Sequence, residues 1–237
     1  MTHVFRTTGL DTMASEYTYT FFRISQTEQL AASAAQYRKL RLKALTTSPD
    51  SFSSTYEIES GFGDKVWEQR LSDKGKETFI CAGSHTGSGI TEWVGQVTLR
   101  GPLAQAEYDL PEESGQPLAD PDAHTEQWQM LSLYNLPEHR GHGLGKRLCL
   151  EALRYLELER PVSSSMVRLM VKPQNAVTVG LYKSLGFEEV GRCTLAEALI
   201  ANGDAKLLPG DYATRSEYTT RGGIIMTRLV PEQKGEA

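Results

Sequence analysis

The chain has 237 residues, of which 39% are hydrophobic, so it can build a substantial core in one large domain. A net charge of −5 at neutral pH gives no overall positive field, so we expect no nucleic-acid partner. No apolar run is long enough for a membrane-spanning helix, so we expect no membrane partner. The cysteines are too widely spaced for a disulfide framework or a zinc site, which favours a reducing compartment, and we expect a cytoplasmic protein with nuclear entry open.

The N-terminal half of the chain predicts a tail followed by strands and helices. Residues 1–16 lack the apolar core of a secretory signal and are expected to form a disordered tail. From Leu30 to Ala44, apolar residues recur at intervals of three and four, which is typical of a helix, and Pro49 ends it. The expected elements are a strand over 17–24, a helix over 30–45, a loop over 48–52, a helix over 65–71, and strands over 78–82 and 93–100.

The C-terminal half begins with a segment that breaks this pattern. Residues 101–125 are rich in proline and acidic side chains, so their composition predicts a loop. The acids form either a rim that attracts a cationic amine or, as is more common, a solvated surface. The next elements are a strand over 127–135, a helix over 143–158, a strand over 166–171 that is apolar except for Arg168, a helix over 175–184, and strands over 187–190 and 224–230.

The order of these elements predicts a single α/β domain around a mixed sheet. We find no internal repeat and no linker, so residues 17–231 are expected to form one domain. Loops are inserted in it at about 101–125 and 194–221, and residues 232–237 form a C-terminal tail.

The turn from Arg140 to Lys146 joins a predicted strand to a predicted helix. Its three glycines remove side chains where backbone amides must approach a ligand. The start of a helix leaves its first N–H groups unpaired and carries partial positive charge, to which Arg140 or Lys146 can add. The turn therefore predicts a pyrophosphate site. Its glycines are Gly141, Gly143 and Gly145.

Two other phosphate-binding motifs fail on spacing. A Walker loop needs four residues between its first glycine and Gly-Lys, but only three separate Gly141 from Gly145. It also needs Ser or Thr after the lysine, and Arg147 follows here. A dinucleotide fingerprint would place its third glycine at Lys146 or Leu148. A turn that merely packs a strand against a helix is the remaining alternative.

The turn resembles the signature of the GNAT superfamily of N-acetyltransferases, which is Arg or Gln, two residues, Gly, one residue, and Gly or Ala. Arg140, Gly143 and Gly145 match it. A second block resembles the family's Asn-to-Tyr helix followed by Leu-Gly-Phe, with Asn175 seven residues before Tyr182. The resemblance covers roughly residues 17–192 and the last strand. It implies a mixed, mostly antiparallel twisted sheet with helices on both faces and a splayed central strand pair.

The resemblance also implies that the protein binds acetyl-CoA as a cosubstrate. The pyrophosphate would meet the amides of the glycine turn, and the pantetheine would pair with the strand before it. Asn175 fixes the helix start and contacts pantetheine or water, or it is a plain N-cap, and the two roles can coexist. No metal is expected, because the histidines are scattered without ligand spacing. The implied cofactor contacts are Leu133, Tyr134, Asn135, Arg140, Gly141, His142, Gly143, Leu144, Gly145, Lys146, Asn175 and Tyr182.

By the same resemblance, the acetyl group passes directly to an amine, and Tyr182 is the general acid that protonates the departing thiolate. A tyrosine that only packs its helix against the sheet is the alternative. Many members of the family use a glutamate of the central strand as base, but this chain has Gln129 at that position, which cannot accept a proton. Glu126 or a chain of ordered water would then take that role.

The acceptor is expected to be a primary amine of a small molecule or peptide, selected by variable loops. Phe52 and Tyr56 either line the acceptor cleft or are packing aromatics. Dimers are common in the family, so a homodimer is allowed. The alternative function is a catalytically silent acyl-CoA-binding sensor or interaction module, which the missing glutamate favours and the retained Tyr182 opposes.

Overall fold

The computed structural model describes residues 16–52, 54–119, 124–160 and 164–231, so most of both expected tails lies outside it. None of the helices in these ranges combines the length and hydropathy needed to cross a membrane. The strands are β1 (Tyr17–Arg23), β2 (Lys76–His85), β3 (Thr91–Leu103), β4 (Thr125–Asn135), β5 (Ser164–Val171), β6 (Glu188–Cys193) and β7 (Gly223–Pro231). The α-helices are α1 (Leu30–Thr47), α2 (Tyr56–Ser60), α3 (Asp64–Ser72), α4 (Gln105–Tyr108), α5 (Leu144–Glu159), α6 (Ala176–Ser184), α7 (Leu195–Ala201) and α8 (Ser216–Thr219).

The strands form a single sheet in the order β1-β2-β3-β4-β5-β7-β6. All neighbours are antiparallel except β4 and β5, which run parallel and are connected through α5. A parallel pair needs such a crossover, usually a helix. The predicted α/β class with a mixed, mostly antiparallel sheet is therefore confirmed. Each strand and helix expected from the sequence is present, with ends that differ by a few residues.

The central strands β4 and β5 separate partway along their length. Their ladder ends where Gln129 lies opposite Arg168, although both strands continue beyond that point. Just past it, the register between β4 and β3 shifts, and Ser132 has a positive φ of 57°. Such a bulge bends and twists its strand, so β4 turns away from β5. The splayed central pair is thereby confirmed.

Helices cover both faces of the sheet. On one face lies α5, where Arg147 stacks over the Phe21 ring of β1 at 4.2 Å and Tyr155 packs edge-on against Trp128 of β4. The buried face of α5 is apolar, as an amphipathic helix requires. On the other face α1 packs against α3, with the rings of Tyr37 and Trp67 6.1 Å apart. The cleft between β4 and β5 thus opens between two helical layers.

Residues 104–119 are largely exposed, as a solvated surface requires, but they are not a loop throughout. They contain α4 and fold back over the sheet, so that Tyr108 is 2% exposed and Gln116 is buried. The Ser114 carbonyl oxygen lies so close to β6 that a Cβ on Gly191 would be 2.1 Å from it. Proline and acidic residues remove periodicity, but they do not prevent burial of an aromatic anchor. Residues 120–123 lie outside the described part.

A buried carboxylate connects α1, α2 and α3. Glu59 is 1% exposed and accepts hydrogen bonds from Arg41 at 2.7 Å and Arg70 at 2.8 Å. Burial opposes ionisation of this carboxyl group, but the two guanidinium groups outweigh it and keep its pKa below the ordinary value. Its ionisation therefore stabilises the fold above the pH at which a free glutamate titrates.

Replacing Glu59 by glutamine is expected to lower the free energy of unfolding by about 3 kcal/mol at neutral pH, because two partly buried guanidinium groups lose their counter-charge. The difference from the wild type should shrink as pH falls through the lowered pKa of Glu59, where the wild type loses the same charge. Denaturant unfolding at several pH values measures the difference in the free energy of unfolding between the variant and the wild type. Asp64→Asn is the control, since the Arg38–Asp64 pair is exposed and worth less than about 1 kcal/mol. Equal losses in both variants would contradict this account.

Candidate functional site

The glycine turn presents the start of α5 to open space. Gly141 and Gly143 have φ values of 83° and 72°, in the left-handed region that favours glycine. A Cβ on either would have no neighbouring atom within 4 Å. No side chain caps α5, so the N–H groups of its first turn have no helical partner. Free amides, partial positive charge and room in front of them fit a pyrophosphate group.

Asn135 connects this turn to the sheet. A Cβ on Gly95 would lie 2.1 Å from the Asn135 Oδ1, and one on Gly145 would lie 3.2 Å from its Nδ2. The two glycines therefore make room for the Asn135 side chain between β3 and α5. Its Oδ1 is buried without a hydrogen-bond partner among the described residues. Asn135 thus holds an unused acceptor at the end of the strand predicted to contact the cofactor.

The basic side chains of the turn differ in how firmly neighbouring residues hold them. The Arg140 guanidinium donates to the Asn135 carbonyl at 3.0 Å and to the Ser48 hydroxyl at 3.3 Å, so it fastens the turn to the end of α1. Lys146 is exposed. His142 is also exposed, with its ring 5.9 Å from that of Tyr19. Of the basic residues predicted to meet phosphate, Lys146 is therefore the freer to turn toward it.

His139, directly before the glycine turn, is buried. It is 1% exposed, and its Nδ1 lies 3.1 Å from the Tyr19 hydroxyl. The Tyr17 ring packs edge-on against it at 4.7 Å. These aromatic neighbours from β1, distant in sequence, explain the burial. In the described ranges, His, Cys, Asp and Glu form no group that could hold a metal ion.

The edge of β4 that faces β5 is open beyond Gln129, because the ladder between them has ended. Leu133 and Asn135 lie half-buried along it, and Tyr134 is buried. The Tyr134 hydroxyl donates to Ser48 at 3.0 Å and fixes the strand against the end of α1. An open backbone edge can pair with an extended ligand as with an added strand. This edge leads directly into the glycine turn.

Tyr182 lies on α6, and Asn175 directly precedes this helix; Leu181 of α6 and Leu133 of β4 both approach Gly145 at the start of α5. Tyr182 is 6% exposed and packs edge-on against Phe187 at 5.7 Å. Burial, and to a smaller extent the neighbouring Cys149, raise the pKa of its phenol above the ordinary value. Asn175 is the N-cap of α6, and its side chain accepts from the Thr178 N–H at 3.3 Å. The plain N-cap is thus confirmed for Asn175, and its cofactor contact stays a prediction.

Gln129 stands at the position of the family's base, and Glu126 is the alternative base. Both side chains form hydrogen bonds with neighbouring residues. Gln129 is fully buried, donates to Asn202 at 3.2 Å and accepts from Arg168 at 2.7 Å. The oxygens of Glu126 accept from Arg160 at 2.5 and 3.1 Å and from the Trp128 indole at 3.0 Å. Both oxygens of Glu126 are thus occupied by donors, which argues against Glu126 as the group that takes the amine proton.

The predicted acceptor residues lie in different surroundings. Phe52 packs against Tyr134 at 5.1 Å and under the Arg41 guanidinium at 4.3 Å, so it borders the β4 side of the cleft. Tyr56 is 44% exposed at the start of α2. The sequence interpretation overlooked Arg168, Asn202 and the segment that carries Tyr108. The signal was present for Arg168, which is the only charge in an otherwise apolar strand.

Comparisons with known proteins agree with this geometry. A sequence profile of the acetyltransferase (GNAT) family matches residues 50–187, more than half of the chain. Arabidopsis thaliana NAA60 in complex with acetyl-CoA superposes with a TM-score of 0.55 and 16% identity, over 90% of this chain and 99% of that one. A GNAT acetyltransferase from Streptococcus pneumoniae gives 0.54 and 15%, over 90% and 100%. At such identities these structures establish the fold alone. A comparison with curated protein sequences found no match.

Proposed function

Because this chain belongs to the acetyltransferase (GNAT) family and is an acyl-CoA-dependent N-acetyltransferase, we propose that it transfers acetyl directly to a primary amine, with Tyr182 as general acid. The observation that carries the proposal is the open edge of β4, which leads from the buried Tyr182 region to the free amides of α5. An extended cosubstrate fits this path, with its phosphates at one end and its reactive end at the other.

Acetyl-CoA supplies an acetyl group activated as a thioester when it is bound. The amides of Leu144, Gly145 and Lys146 would hold its pyrophosphate, with Gly141 and Gly143 leaving the space open. Residues 133–135 would pair with the pantetheine chain through their backbone. The side chain of Asn135 packs between β3 and α5, so only its backbone is assigned to the cosubstrate. These are the roles we assign to the predicted cofactor residues.

The phenol of Tyr182 carries a proton throughout the neutral range, because burial raises its pKa. A phenol of ordinary pKa ~10 is a weaker acid than a thiol of pKa ~8.5, so transfer to a free thiolate is uphill by about 1.5 pKa units and has to accompany the breaking of the carbon–sulfur bond. In this account the Tyr182 hydroxyl donates its proton to the sulfur as it leaves and recovers one from solvent afterwards. The edge-on packing against Phe187 holds the Tyr182 ring in place.

We further propose that no carboxylate of β4 takes the amine proton. Gln129 has no basic atom, and Glu126 is held by Arg160. A chain of ordered water is the remaining route from the amine to solvent. The acceptor is a small-molecule or peptide amine that enters past Phe52. The buried free thiols of the three cysteines suit a reducing, cytoplasmic setting, and a homodimer stays a prediction.

The test is acetyl-CoA-dependent thiol release across polyamines, amino acids, aminoglycosides, arylamines and basic peptides. We expect at least one class to release thiol well above the rate of acetyl-CoA hydrolysis, with the acetylated amine as the product. Tight binding of acetyl-CoA without release by any acceptor would instead favour the silent acyl-CoA-binding module.

A further inference from the structure

Arg168 forms the centre of a buried polar cluster on the face of the sheet opposite α5. Its side chain is fully buried on β5, and its Nε donates to the Gln129 oxygen at 2.7 Å. Its Nη1 donates to the Gln116 side-chain oxygen at 2.9 Å and to the Tyr108 carbonyl. The Tyr108 ring covers the guanidinium at 4.3 Å. This cluster therefore joins β4, β5 and the segment that carries α4.

Among the residues that the structure describes, no carboxylate is in contact with the Arg168 guanidinium. The oxygens that accept from it belong to amide or peptide groups, and its Nη2 has no hydrogen-bond partner in the described part of the chain. Burial lowers its pKa to about 10, so it is still charged at neutral pH. The titratable or charged groups that act on it are Tyr108 and Asp109 beside α4, Cys193 on β6 and Arg100 on β3.

The neighbouring acids are occupied. Arg100 is paired with Glu107 at 2.7 Å, and Asp109 accepts the Ala119 N–H at 3.1 Å. Glu59 is held by two arginines, as described above. Asp204, after α7, acts on Arg41. The charge of Asp109 partly offsets that of Arg168, but in the described ranges no carboxylate contacts the guanidinium itself.

The position of this charge matters for the reaction. Gln129 and Arg168 form the last pair of the parallel ladder, so the guanidinium lies at the point where the cleft begins. A cation in a region of low dielectric acts over several ångströms and disfavours a second cation nearby. An ammonium group entering the cleft would be opposed, whereas a neutral amine would not.

We infer that the acceptor is a weakly basic amine that enters as its free base, and that Arg168 and Gln129 select for this form. The inference rests on the proposed function. In the step, the neutral nitrogen forms its bond to the acetyl carbon, the carbon–sulfur bond breaks, and Tyr182 protonates the sulfur. The surplus proton of the nitrogen passes to solvent, from which Tyr182 regains its own. No protein base is needed, which agrees with the absence of a carboxylate at position 129.

The experiment compares the best acceptor of the thiol-release screen with its analogues fluorinated on the carbon beside the aminomethyl group. Fluorine lowers the pKa of the amine with little change in size. We expect kcat/KM at pH 7 to rise as the amine pKa falls toward 7. The pH profile of each acceptor should rise about tenfold per pH unit up to the pKa of that acceptor.

The variant Gln129→Glu places a carboxylate against Arg168 and is expected to reduce the preference for the weaker base by about tenfold, the effect of one pKa unit. Gln127→Glu, two residues earlier on the same face of β4, is the matched comparison; its carboxylate lies farther from Arg168, so it should reduce the preference less than Gln129→Glu. Asn202→Asp, at the half-buried end of α7, introduces a milder charge beside Gln129 and should shift the preference in the same direction.

An identical pH profile for all acceptors, governed by an enzyme group and lost in Asp204→Asn, would overturn the inference and identify a protein base. An unchanged preference in both Gln129→Glu and Asn202→Asp would also overturn it. Acetylation occurs in either case, so these results differ from failure of the proposed function, in which no acceptor releases thiol.

Discussion

Replacing Tyr182 by phenylalanine is expected to lower kcat by about a hundredfold or more, which is the usual contribution of a general acid. The ring that packs against Phe187 is kept, so folding and acetyl-CoA binding should change little. The lost atom is the proton donor for the leaving sulfur. Thiol release and acetyl-CoA titration, measured on the same preparation, separate the two effects.

Tyr155→Phe is the matched control for this variant. Tyr155 is also a buried tyrosine of the same core, but it lies near the end of α5, away from the glycine turn at the start of that helix, and its hydroxyl donates to Glu77 at 3.2 Å. It should keep nearly full turnover. If Tyr182→Phe also kept full turnover, Tyr182 would be only a packing residue and the general acid would lie elsewhere.

Replacing Gly143 by alanine is expected to weaken acetyl-CoA binding by about tenfold or more, equivalent to about 1.4 kcal/mol. The methyl group would enter the open space beside the α5 amides that we assign to the pyrophosphate. Charge-assisted hydrogen bonds to backbone amides are worth more than neutral ones, so a small displacement is costly. Calorimetric titration with acetyl-CoA measures the change.

Gly89→Ala controls for the backbone strain of this substitution. Gly89 has a φ of 69°, close to that of Gly143, and also has no atom within 4 Å of its Cβ position, but it lies in the hairpin between β2 and β3. Both variants should lose about 1 kcal/mol of stability, because alanine is strained in this conformation. Only Gly143→Ala should lose affinity. Equal affinity in the two would mean that the pyrophosphate does not lie at the start of α5.

The parts of the site that could be predicted are those whose chemistry fixes residue types at fixed spacing. A helix start that meets phosphate needs glycine where amides approach the ligand, and the turn from Arg140 to Lys146 has that form. The Asn175–Tyr182 spacing places an N-cap and a tyrosine on one short helix, which the structure contains. The positions of α1 and α5 could be predicted because a helix with one buried face needs apolar residues at intervals of three and four.

The parts that could not be predicted depend on contacts between distant segments. Ser132 stands between two leucines, and nothing local indicates the bulge that opens the cleft. Glu126 is engaged by Arg160, a residue 34 positions away, which no spacing rule on β4 would reveal. Arg168 was visible as a charge in an apolar strand, but its partners Tyr108 and Gln116 come from a segment without periodicity.

The central claim is that acetyl passes directly from acetyl-CoA to an amine while both occupy the cleft between β4 and β5. Initial-velocity kinetics with both substrates varied test it most directly. The account predicts intersecting lines in double-reciprocal plots, because both substrates must be bound before the first product leaves. Parallel lines would contradict it, since they would require an acetylated enzyme and a protein nucleophile.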